Sequence, residues 1–87
     1  PDDINSLDTY AWILFKQKKY TEALVYIQQA LDLAKEPAEE LYSHAGDIYF
    51  WNGEHEKAVE LWQQALLIAP DNELLKRKVA HKTFFFK

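Results

Sequence analysis

Apolar residues recur every three or four positions along almost the whole chain. Leu7, Tyr10, Ala11 and Leu14 form a first stripe, and Ala23, Leu24, Ile27, Ala30 and Leu31 a second. Leu41, Tyr42, Ala45, Ile48 and Tyr49 make a third, and Ala58, Leu61, Trp62, Ala65, Ile68 and Ala69 a fourth. Leu74, Leu75, Lys78 and Val79 begin a fifth. This spacing puts each set on one side of an α-helix, the side that faces a core. No stretch alternates with period two for long enough to predict a strand. The breaks between stripes carry helix stop and start signals. Pro37 suits the first turn of a third helix, where its missing N–H costs nothing. Asn52-Gly53 supplies a left-handed residue to end that helix, Pro70-Asp71 stops the fourth, and Asp71 or Asn72 caps the fifth. Lys16-Gln17-Lys18-Lys19-Tyr20 separates the first two helices without Gly or Pro. The pattern predicts an all-α chain of five helices, near 5–17, 21–34, 38–51, 55–69 and 72–84.

The chain also repeats itself. At an offset of 35 residues, the distance from Ala23 to Ala58, Ala30 falls on Ala65, Ala34 on Ala69, Ile13 on Ile48 and Phe15 on Phe50. The run Gln28 to Leu31 falls on the identical run Gln63 to Leu66. A period of this length spanning two helices is the mark of an α-solenoid, in which a helix pair cannot bury its apolar face alone. Small residues at Ala11/Gly46 and Ala23/Ala58 would let helix backbones approach, with Leu14/Tyr49 and Ile27/Trp62 filling the adjacent space.

The second unit, residues 39–72, resembles a tetratricopeptide repeat. That repeat is about 34 residues long and places Trp, Leu-Gly, Tyr, Ala, Phe and Pro at set intervals. Tyr42, Ala45-Gly46, Tyr49, Ala58, Trp62, Ala65 and Pro70 stand at the matching places, with Tyr42 in place of Trp, Ala45 of Leu and Trp62 of Phe. The first unit, residues 4–38, holds the signature sites with Leu7, Ala11, Leu14, Ala23, Ile27 and Ala30, but its Pro comes late, at 37. The resemblance implies an antiparallel helix-hairpin array, a right-handed α-solenoid of two repeats plus a capping helix over 73–87, in a single domain of residues 1–87. Pro1-Asp2-Asp3 resembles the closing linker Pro70-Asp71-Asn72, so the chain is expected to be the C-terminal end of a longer array. The last helix carries Lys76, Arg77, Lys78 and Lys82 and is expected to form the polar cap that a solenoid end needs.

Composition narrows the function more than the fold. At 87 residues with 48% hydrophobic and 28% charged residues, one small folded domain is expected. The net charge of −4 argues against general nucleic-acid binding. No cysteine is present, which removes disulfides, thiolate nucleophiles and thiolate metal sites. Apolar runs are far shorter than the ~20 residues that span a bilayer. Nothing here selects a compartment, since bacterial members of the resembled family occur in the cytoplasm, the periplasm and the envelope.

Candidate chemistry is sparse. His44, His55 and His81 form no zinc-binding spacing. His55 lies between Glu54 and Glu56 at a turn, and His44 is expected on the solvent side of its helix. Gly46 and Gly53 have packing and stop roles and form no phosphate loop. Ser6 and Ser43 lack a nucleophile signature, and the many carboxylates fall on polar faces. No constellation meets the requirements of an active site, so neither an enzyme nor a cofactor is expected.

Binding is the better expectation, over a purely structural C-terminal cap of a longer solenoid with no ligand of its own or an accessory domain of a larger enzyme. In the resembled family the first helix of each pair lines a concave groove for an extended peptide or a partner helix. Carried over by position, that face comprises Asn5, Asp8, Trp12, Phe15 and Lys16 from the first unit and Glu40, Ser43, Asp47, Phe50 and Trp51 from the second. Each set falls on one helical face. The four aromatics would form a patch beside Asp8 and Asp47, and that acidic rim would favour a basic or neutral protein partner. The competing reading has the aromatics packed between units or against a missing N-terminal repeat; for Phe15 and Phe50 the two weigh equally. Asp8, Trp12, Ser43 and Asp47 occupy places where some family members grip a C-terminal carboxylate with Lys and Asn, which argues against that role. Phe84-Phe85-Phe86 cannot all face one side of a helix, so they are expected either to fold back or to contact another molecule, including a second copy.

Overall fold

The computed structural model describes residues 3–36 and 38–82, which form five helices joined by short turns. They are α1 (Ile4–Lys16), α2 (Tyr20–Leu33), α3 (Glu39–Trp51), α4 (His55–Ile68) and α5 (Glu73–His81). Each starts within one residue of its expected position. The expectations placed on Pro37, on Pro1-Asp2 and on Phe84-Phe85-Phe86 lie outside the described residues. At the C-terminal end the expectation is corrected, because α5 stops at His81 rather than 84, with Lys82 in the left-handed region at φ 52°.

Local chemistry sets the ends. The Asp3 carboxylate accepts the Ser6 N–H at 3.2 Å and caps α1. The Asn72 side chain accepts the Leu75 N–H at 3.1 Å and caps α5, each satisfying an otherwise unpaired amide. Neither α2 nor α4 has a side-chain cap. Each instead follows directly on a closed turn. Lys18 and Lys19 donate back to Phe15 and Leu14, and Gly53 and Glu54 donate back to Phe50 and Tyr49, all at 2.9–3.0 Å. This turn needs one left-handed residue. Gly53 takes it at φ 86° and Lys18 at φ 65°. The two positions are related by the internal repeat, so the same turn is built once with glycine and once with a side chain that the left-handed region strains.

The helices pair as two antiparallel hairpins, α1/α2 and α3/α4; α3 packs on α2, and α5 closes over α4. Their stripes meet in one core in which Ala11, Ala23, Ala30, Ala45, Ala58 and Ala65 are completely buried beside Leu7, Ile27, Ile48, Trp62 and Leu75. Small residues set the helix spacing and large ones fill it. Gly46 is the tightest point, since a Cβ there would overlap the indole of Trp62.

Polar side chains tie neighbouring units together. Gln28 Nε2 of α2 donates to the Tyr49 hydroxyl of α3 at 3.1 Å. Asn52 Nδ2 donates to the Tyr20 carbonyl at 2.9 Å and to the Ile48 carbonyl at 2.8 Å. Asn72 Nδ2 donates to Glu39 Oε2 at 2.8 Å. Among the described residues, no buried side-chain nitrogen or oxygen lacks a partner, and no helix is long and apolar enough to cross a membrane.

Candidate binding face

The first helices of the two units, α1 and α3, touch one another and carry the candidate residues. Burial divides these into three groups. Asn5, Lys16, Glu40 and Trp51 are exposed; Trp12, Ser43 and Phe50 are half-buried; Asp8, Phe15 and Asp47 are buried.

The buried acids correct the expected acidic rim. Asp8 Oδ1 lies 2.8 Å from His44 Nδ1 across the α1–α3 boundary. That contact also corrects the expectation for His44, which is not on the solvent side. Its ring stacks on Trp12 at 4.0 Å between centroids. Asp47 Oδ1 accepts both the Lys78 ammonium at 2.8 Å and the Trp62 indole N–H at 3.0 Å. Burial pushes the Asp47 carboxyl above the ordinary value of 3.8, and the Lys78 charge, its hydrogen bond and the indole N–H oppose that rise. Lys78 is therefore a buried strut and not part of a polar cap face. Its ammonium sits 5.5 Å from the centre of the Trp62 ring, within the range of a cation–π attraction.

Aromatic rings form a continuous path across both units. Trp12 stacks on Phe15 at 4.7 Å, and Phe15 meets Tyr20 at 5.5 Å. Tyr20 stacks on Trp51 at 5.3 Å, Trp51 meets Phe50 edge-on at 6.2 Å, and Phe50 stacks on His55 at 4.3 Å. Phe50 also reaches the buried Trp62 at 5.7 Å. For Phe15 the packing alternative holds, since it is buried. Trp51 is the outlet of the path, at 42% exposure. The two hydrogen bonds of Asn52, the next residue, hold the helix end beneath it.

Tyr20, His44 and His55 belong to this arrangement and were not among the sequence candidates. Tyr20 starts the second helix of its unit, outside the positions carried over by resemblance. His44 takes its place only through Asp8 and Trp12 on another helix. Neither Tyr20 nor His44 had a local signal in the sequence. Among the described residues, no group of three or more His, Asp or Glu side chains is placed to hold a metal ion.

A family model described as tetratricopeptide repeat matches residues 14–81. A comparison with curated proteins finds no match.

Proposed function

Because the chain belongs to the tetratricopeptide repeat family, whose members generally mediate protein–protein interaction or scaffolding, we propose that it is a non-catalytic interaction module that holds a peptide or helix against the face of its first helices. The observation that carries this reading is Trp51. A large aromatic surface is left open to water at 42% exposure while Tyr20 and Phe50 support it from behind. Aromatics held rigid before binding are the usual anchors of interfaces, because little conformational freedom is lost when a partner arrives.

The test is selection of peptides from a random display library on the immobilised chain, followed by affinity measurement on Trp51→Ala. Selected peptides are expected to lose at least about tenfold in affinity on that variant, with its thermal melt unchanged. Selection of no peptide, or equal binding to both proteins, would remove the proposal.

A purely structural role in a longer solenoid is the second reading, and one observation favours it. Tyr10 and Ile13 on α1 are 44% and 46% exposed, whereas their repeat-related counterparts Ala45 and Ile48 are fully buried on α3, which packs on α2 as well as on α4. The α1 face therefore has the pattern that a further hairpin would cover.

A further inference from the structure

We infer that the partner segment is acidic on one side of an apolar anchor, with its apolar side chain on Trp51 and its carboxylates over the α1–α2 turn. This rests on the binding reading above and adds the chemistry of the partner to it. Asp8 and Asp47, the acids that would have favoured a basic partner, are buried and paired with His44 and Lys78. At the α1–α2 turn, where the path passes from Phe15 to Tyr20, the open charges are mainly cationic. Lys16, Lys18 and Lys19 are all exposed, and among the described residues none of them makes an ion pair.

Their positions relate them to the anchor. Lys16 is the repeat-related counterpart of Trp51, so the two occupy the same place on the adjacent helices α1 and α3. Lys19 precedes Tyr20, the ring stacked on Trp51. Lys18 holds a left-handed conformation that its counterpart Gly53 adopts without strain. A strained residue at a surface turn is a pointer toward function. Glu22 lies in the first turn of α2 and leaves an excess of cations at this turn. On the other side of Trp51, the α3–α4 turn and the start of α4 carry exposed Glu54 and Glu56 against one exposed cation, Lys57. A segment acidic along its whole length would meet repulsion there. Acid on one side only is complementary to both turns, and this polarity would also set the direction in which the segment lies.

The test uses three capped peptides that share a Phe-Leu anchor, preceded by three Glu, three Lys or three Ser residues. Binding is read by fluorescence anisotropy and by Trp51 emission, assigned with Trp51→Phe. The Glu peptide is expected to bind at least tenfold more tightly than the Lys peptide and to weaken as salt rises. The double variant Lys16→Glu/Lys19→Glu should reverse that preference. These side chains are exposed, and an unchanged melt confirms that the variant is folded. Equal binding of all three peptides, or an unaltered preference in the double variant, overturns the acidic assignment; loss of that binding on Trp51→Ala would show that the groove reading survives it. No binding of any peptide, together with failure of the display selection, would remove both.

Discussion

Gly46 sits in mid-helix, where Ala would ordinarily be favoured by about 1 kcal/mol. Here propensity and packing oppose each other, and packing decides, because the added methyl would enter the volume of the Trp62 indole. That indole is completely buried and tethered to Asp47 through its N–H, so it cannot swing aside cheaply. Gly46→Ala should therefore lower stability by about 1–3 kcal/mol, measured by urea unfolding. A neutral or stabilising result would mean that α3 and α4 can move apart at this point. The paired acids follow the same logic. Asp8 and Asp47 look like groove residues when the sequence is read, because their spacing places them on the expected face. Their partners lie on other helices, at His44 and Lys78, and helical periodicity carries no information about which charge a neighbouring helix will bring. This part of the candidate site was illegible for that reason; Trp51 was placed on the face by resemblance, and only the structure shows it exposed.

At the scale of the elements, the turns between first and second helices show how much a repeat can vary while keeping its geometry. The α3–α4 turn announces itself by Gly53. The α1–α2 turn has the same hydrogen bonds and the same left-handed residue but carries Lys18 there. Sequence reading found the break from the apolar stripes on either side, and it could not find the turn type. Lys18→Gly should stabilise the fold by about 0.5–1 kcal/mol, the relieved left-handed strain less the extra freedom of glycine in the unfolded chain. A shift of the urea midpoint to higher concentration checks this, and a downward shift would show that the Lys18 side chain makes a contribution beyond its backbone. The helices themselves were legible because five amphipathic stripes at period 3.6 leave few alternatives. The end of α5 was not, since Lys82 gives no stop signal of the kind that glycine provides.

Across the whole molecule, apolar packing builds each hairpin, and directional polar bonds fix one unit relative to the next. Asp47 joins these systems, since it holds Trp62 within its hairpin and Lys78 on α5. Removing the cation with Lys78→Met leaves a buried carboxylate unpaired at neutral pH. The expected cost is about 3–5 kcal/mol at pH 7, large against the roughly 5–15 kcal/mol that holds a typical domain folded. The cost should shrink at acid pH. Burial already raises the Asp47 carboxyl above 3.8, so over that window the folded state binds more protons than the unfolded state, and the contribution of this group falls as pH rises. Loss of Lys78 removes an influence that lowers the value, and the window then reaches to higher pH. Urea titrations of wild type and variant at pH 4 and pH 7 should show the smaller difference at pH 4; an equal difference at both would argue that Asp47 stays ionised throughout. The three indoles add an optical consequence. Trp62 is fully buried beside an ion pair, Trp12 lies against an imidazole, and Trp51 is exposed. They therefore form a built-in colour scale, from blue emission at the core to red at the rim, by which light alone can distinguish a ligand arriving at the rim from a hairpin coming apart.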